Sequence, residues 1–184
     1  MKEKVKYYDN GKIKYRHFWN RNKRVGKWCG WYDNGQQAYQ YFWENGMKNG
    51  HHNEWWENGM LKSYGHYSKG KKDGLWLEWW ENGRSKKLQT WMRGKQTGTF
   101  REWYESGQLK EEMYVRNTII YGKAQKWWEN GVLRFRACYD DEGRFNGDVH
   151  EWNEDGTLRS HARWNHGERE NEKNSVSKRK IECL

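Results

Sequence analysis

Aromatic and polar positions recur along the chain in short bursts, each closed by an acidic residue, a small polar residue (Asn, Ser or Asp) and a glycine. Tyr7-Tyr8 precede Asp9-Asn10-Gly11, Trp31-Tyr32 precede Asp33-Asn34-Gly35, and Trp55-Trp56 precede Glu57-Asn58-Gly59. The series continues through Gly83, Gly107, Gly131 and Gly156, with glycine spacings of 24, 24, 24, 24, 24 and 25. A fixed period of this kind is the signature of a tandem repeat. A further aromatic follows eight residues after most of these glycines, at Trp19, Trp43, Tyr67, Trp91, Tyr139 and Trp164, with Val115 breaking the row. Glycines this frequent break helices, so each copy reads as two strands of about seven or eight residues joined by two turns. Asp/Glu-Asn-Gly predicts the tight hairpin turn, with Asn and Gly both suited to positive φ. Trp43-Glu44-Asn45-Gly46-Met47-Lys48-Asn49-Gly50 predicts a longer turn with two glycines at the other end of the copy.

One hairpin cannot bury an aromatic face, so neighbouring copies must stack and the array grows in one dimension. Adjacent rings such as Trp55-Trp56 point to opposite faces of a regular strand; either both faces carry rings or a bulge redirects one. The repeats occupy residues 1–167. Residues 168–184 are polar and lack aromatics, and read as a C-terminal tail or short capping helix.

Composition changes this picture in two places. Hydrophobic residues make up only 34% of the 184-residue chain, which would suggest disorder. The 15 Trp, 12 Tyr and 5 Phe point instead to a folded protein packed with rings. No run of about 18 apolar residues suggests a membrane-spanning helix. The three cysteines, Cys29, Cys138 and Cys183, are far apart and read as reduced thiols, which together with the lack of a secretory leader suggests a cytoplasmic, intracellular setting. The net charge of +10 is concentrated near the start. Lys2, Lys4, Lys6, Lys12, Lys14 and Arg16 therefore form a candidate binding patch for an anionic membrane or a nucleic acid.

The unit G-x-W/F-x-x-W-W/Y-E-N-G-x-L, as in Gly74-Leu75-Trp76-Leu77-Glu78-Trp79-Trp80-Glu81-Asn82-Gly83, resembles the MORN-repeat variant. The resemblance covers residues 7–167. It implies an all-β fold, a tandem array of about seven 24-residue β-hairpin repeats forming an elongated, twisted antiparallel sheet. It also implies a scaffold without catalytic function: similar arrays occur in large DNA viruses of amoebae, in antitoxin-like bacterial components, and in eukaryotic scaffolds that dimerise or contact phosphoinositides. If viral, the setting would be the host cell or virion.

Candidate chemistry is sparse. The seven histidines fall at different repeat positions, no metal-ligand spacing is present, and no nucleophile or phosphate-loop motif occurs, so no catalytic, cofactor or metal site is expected. An acidic residue repeated in every copy suits turn formation better than a single active site. Trp31, Trp55, Trp79, Trp103 and Trp127 are candidate stacking platforms, weighed against plain packing. The expected partner is a protein, with the basic end as the alternative contact and the sheet edges as a route to homo-oligomers. A hydrolase or lectin is the least favoured reading.

Overall fold

The computed structural model describes residues 1–170 and is built of antiparallel strands, as the repeat requires. It divides into two compact units, Met1–Lys95 and the residues from Gln96 onward. In the first, β1 (Lys2–Tyr7), β2 (Ile13–Asn20), β3 (Lys23–Trp31), β4 (Gln37–Glu44), β5 (Met47–Trp55) and β6 (Leu61–Ser68) pair in chain order. The short β7 (Lys71–Lys72) and β8 (Gly74–Trp79) both pair with β6, and β9 (Ser85–Met92) pairs with β8. In the second unit the order is β10 (Lys95–Trp103), β11 (Leu109–Arg116), β12 (Ile119–Trp127), β13 (Leu133–Tyr139), β14 (Gly147–Trp152), β15 (Leu158–Asn165) and β16 (Glu168–Arg169). Strand β16 pairs with β15, so Glu168 and Arg169 extend the array beyond Gly167. The rest of the expected tail, residues 171–184, lies outside the described residues.

The two turn types are exchanged relative to the sequence expectation. At the Asp/Glu-Asn-Gly end, Tyr8 N–H donates to the Lys12 carbonyl (2.8 Å) and Gly11 N–H to the Tyr8 carbonyl (3.0 Å). Glycine alone takes positive φ here (Gly11 +81°, Gly59 +86°), which makes a three-residue loop with a glycine bulge. At the other end Asn45 (φ +50°) and Gly46 (φ +89°) both lie in the left-handed region, and β4 and β5 pair up to Glu44 and Met47. That is the two-residue turn. The second glycine of each pair, such as Gly26 (φ +67°) and Gly50 (φ +114°), belongs to an irregularity within a strand. Arg16 faces Cys29 while Phe18 faces Val25, so β3 bulges outward at Gly26 and Lys27. The 25-residue spacing has a local cause too: Asp140 N–H donates to Arg144 O (2.9 Å) and Gly143 N–H to Asp140 O (3.0 Å), so a three-residue loop replaces the two-residue turn.

The core is a row set by the repeat. Trp28, His52 and Trp76 are buried in the first unit, and Phe100 and Ala124 occupy the same repeat position in the second. The indole N–H of Trp28 donates to Phe18 O (3.0 Å) and that of Trp76 to His66 O (3.2 Å), satisfying the polar atom each ring carries inward. Small residues open room for these rings. A Cβ on Gly65 would sit 2.4 Å from the Trp76 ring, and one on Gly30 would sit 2.2 Å from Tyr39. Cys29 is a buried free thiol.

Candidate interaction surface

Directly opposed residues of an antiparallel pair share a face. In the first unit Trp28 opposes Tyr41, Tyr41 opposes His52, and His52 opposes Gly65, so one face gathers these rings. His17 stacks on Tyr15 at 4.4 Å between centroids and on Trp28 at 3.9 Å. Tyr41 stacks on Tyr39 at 4.9 Å and on His52 at 4.7 Å. Three cations at 24-residue spacing lie over this pavement. Arg24 sits 4.6 Å from the Trp43 centroid and 5.3 Å from Trp28. Lys48 sits 4.2 Å from Tyr41 and 5.0 Å from Tyr67, and Lys72 lies 4.1 Å from Trp76 and 4.9 Å from Trp91. Burial pushes the Lys48 and Lys72 ammonium groups below the usual lysine range. Each such cation–ring contact contributes about 0.5–2 kcal/mol, more as water is excluded.

Carboxylates lie on the same face. Tyr41 Oη donates to Glu54 Oε1 (2.5 Å), and Ser63 Oγ donates to Glu54 Oε2 (3.3 Å). Ser63 Oγ is also 3.4 Å from His52 Nε2. A hydrolytic relay needs the carboxylate on the imidazole nitrogen away from the hydroxyl. Here Glu54 approaches that same Nε2 at 3.6 Å, while Nδ1 is buried without a partner. Burial, opposed by Glu54 and reinforced by Lys48 and Lys72, depresses the His52 pKa to about 4. The cluster is thus a neutral imidazole within the pavement rather than a nucleophile, base and orienter in series. Among the described residues no group of three or more His, Cys, Asp or Glu is placed to hold a metal.

The sequence candidates separate. Lys2, Lys4 and Lys6 alternate along β1, and Lys4 opposes His17, which puts all three on the ring-bearing face. Arg16 opposes Val5, on the other face, and its Nε is 3.0 Å from Glu3 Oε1. Lys12 Nζ donates to Asn34 O (2.8 Å), and Lys14 lies 4.9 Å from the Tyr8 centroid. Six basic residues are therefore not one patch. Each candidate platform tryptophan follows a register shift, for example between Glu54 and Trp55, where the extra residue, Lys62, lies on the partner strand. Their carbonyls form a ladder: Tyr8 Oη donates to Trp31 O (2.8 Å), Tyr32 Oη to Trp55 O (2.8 Å), and Trp56 Nε1 to Trp79 O (3.2 Å). Tyr104 Oη likewise donates to Trp127 O (2.9 Å). Trp31, Trp55, Trp79, Trp103 and Trp127 are all half-buried, and Trp79 and Trp127 each line a cleft.

The turn amides add a second ladder. Asn10 Nδ2 donates to Asp33 O (3.1 Å), Asn34 Nδ2 to Glu57 O (3.0 Å), and Asn58 Nδ2 to Glu81 O (2.9 Å). Each Oδ1 accepts the N–H two residues on, as Asn58 does from Met60 (2.9 Å). The amide, and not the acidic side chain, supplies the turn's hydrogen bonds.

Four stretches of the chain match the MORN repeat variant. They are residues 3–20, 48–69, 96–117 and 120–141, and each spans two strands joined by a three-residue turn. Hairpins between the matched stretches close in the same way: Tyr32 N–H donates to Gln36 O (2.8 Å) and Trp80 N–H to Arg84 O (2.8 Å). The likeness is to the MORN repeat itself; nothing in it extends to viral or antitoxin proteins. No curated protein matches the chain. The sequence reading found the ring rows but missed Arg24, Lys48 and Lys72. Their signal is legible: each stands two residues before a bulge glycine, at Gly26, Gly50 and Gly74.

Proposed function

We propose that this protein is a non-enzymatic MORN-repeat scaffold whose first unit engages a protein partner carrying an acidic segment. The observation that carries the reading is the row Arg24, Lys48 and Lys72, held over rings at successive repeats. Rings hold the cations in place at three successive repeats, with Glu54 near Lys48 and Glu78 near Lys72, and partial burial has already stripped some water from both lysines. Aromatic and arginine side chains are also the types that dominate binding energy at interfaces. The test is affinity capture from cell extract with the full chain and with an R24Q/K48Q/K72Q variant. Proteins held by the first and lost by the second support the reading. Identical retention by both removes the cation row from it.

A second reading follows from Lys2, Lys4 and Lys6, which share a face of β1 and make no ion pair among the described residues. This end would then dock on an anionic membrane or a nucleic acid. Among the described residues no helix is long and apolar enough to cross a membrane, so the contact would be electrostatic and salt-sensitive. Flotation with anionic vesicles and RNA retention at about 0.15 M salt, with K2Q/K4Q/K6Q as the variant, decides it; unchanged retention removes this reading.

A further inference from the structure

Rings and cations alternate along one line on the ring-bearing face of the first unit. Trp19 of β2 opposes Arg24 of β3, Trp43 of β4 opposes Lys48 of β5, and Tyr67 of β6 opposes Lys72 of β7. Gly26 and Gly50 oppose Trp43 and Tyr67, which carries the line from each cation to the next ring. Gly74 opposes Trp91 of β9 in the same way, and the line closes there. Each cation therefore stands between two rings. Arg24 is 6.0 Å from the Trp19 centroid and 4.6 Å from Trp43, and Lys48 is 5.9 Å from Trp43 and 5.0 Å from Tyr67. Arg24 is exposed, and Lys48, Lys72 and the rings of this line are half-buried, so all of them reach the surface.

Neighbouring strands lie about 4.8 Å apart, so the cations recur about every 10 Å with a ring midway between them. A matching partner presents carboxylates at that interval and apolar groups between, all on one side. In an extended strand three residues span about 10 Å, but an odd step turns the carboxylates to opposite sides. A polyproline helix returns to the same side after three residues, about 9.3 Å, but its backbone groups are unpaired and need partners once covered. This face has few to give: β4, β5 and β6 are each paired on both edges, and the indole Nε1 atoms of Trp43 and Trp91 are buried. An α-helix satisfies its own backbone. Seven of its residues span about 10.5 Å and return to within about 20° of the same side, and residues i+3 and i+4 fall midway, over the rings. We propose that this line docks an amphipathic α-helix of the partner, with acidic residues at i, i+7 and i+14 on Arg24, Lys48 and Lys72 and apolar residues between them on Trp43 and Tyr67. The inference rests on the acidic-partner reading and adds to it the partner's conformation and spacing.

Fluorescence-anisotropy titration of the full chain with three labelled peptides of equal net charge tests it. The first is an alanine-rich helix of about 20 residues with Glu at i, i+7 and i+14 and Leu between. The second has the same composition with Glu at i, i+5 and i+10, which turns the carboxylates to different sides. The third carries three Glu-Pro-Pro units. The first should bind saturably and the second about tenfold weaker, since it sets only one carboxylate on the row at a time. The Glu-Pro-Pro peptide should bind more weakly than the first. R24Q/K48Q/K72Q should lose about tenfold in affinity for the first peptide. K71Q should leave it unchanged, because Lys71 opposes Ser68 and lies on the other face. Cooperative unfolding of the triple variant, measured alongside, separates lost cations from a lost fold. Equal affinity for the two helical peptides, or tighter binding of the Glu-Pro-Pro peptide, overturns the helix; weakening of either peptide by R24Q/K48Q/K72Q would still support an acidic partner. No saturable binding of the first peptide at millimolar concentration also overturns the helix, and capture from extract then judges the acidic-partner reading by itself. Unchanged affinity of a folded R24Q/K48Q/K72Q for the first peptide removes both.

Discussion

The two units share turns, bulges and register, yet they fill the same positions differently. The buried row is Trp28, His52 and Trp76 in the first unit, and Phe100 and Ala124 in the second. Where the first places Arg24, Lys48 and Lys72, the second has Gln96, Ile120 and Phe145: Ile120 follows from the 24-residue spacing, and Thr118 N–H donates to Gln96 O and Gly167 N–H to Phe145 O as Gly70 N–H does to Lys48 O. Opposite His52 stands Gly65, while opposite Ala124 stands Ala137, fully buried. Gly65 leaves room for the Trp76 ring and Gly30 for the Tyr39 ring, whereas Ala124 and Ala137 pack against each other directly. The comparison teaches that the backbone devices specify the hairpin array, and the residues in each row specify what its surface presents.

The largest expected effect comes from removing a first-unit ring. Trp76→Ala should lower the unfolding free energy by about 3–5 kcal/mol in a denaturant titration. A loss below about 1 kcal/mol would mean that the ring row is not a core. Acid gives the next test. The His52 imidazole has a pKa of about 4 in the folded chain against 6.5 unperturbed. The unfolded chain therefore binds more protons between these values, so stability falls as pH drops from 6.5 towards 4 and then levels. The contribution is about 3 kcal/mol. His52→Phe, which installs the second unit's Phe100 residue type, should flatten this pH dependence in thermal melts. Gly11→Ala isolates backbone strain, because φ is +81° and nothing lies within 4 Å of the added Cβ; it should cost about 1–2 kcal/mol. Asn58→Ala removes the bonds to Glu81 O and from Met60 N–H at an exposed site, and should cost about 1 kcal/mol. Urea midpoints of these two variants should fall in that order.

The period, the all-β class and the paired rings were legible because they depend on residue type at fixed spacing. The turn types were not. Glu44-Asn45-Gly46 and Glu57-Asn58-Gly59 are the same tripeptide, yet Asn45 has φ +50° and Asn58 does not adopt positive φ. The difference is tertiary: Asn58 reaches Glu81 O, a partner 23 residues away. The division of the basic residues between two faces was hidden for a related reason. Arg16 and Lys14 are near Lys4 and Lys6 in sequence, but strand alternation puts Arg16 on the opposite face and a ring partner takes Lys14. The Arg24–Lys48–Lys72 row was visible as a 24-residue cation period, but only the cross-strand register reveals that rings surround it.

The most direct test is a row swap, R24Q/K48I/K72F, which gives the first unit the residue types the second carries at the aligned positions. Its cooperative unfolding and partner capture would both be measured on the full chain. The account predicts a folded protein with sheet content unchanged and capture lost. A folded variant that retains the same proteins would contradict it.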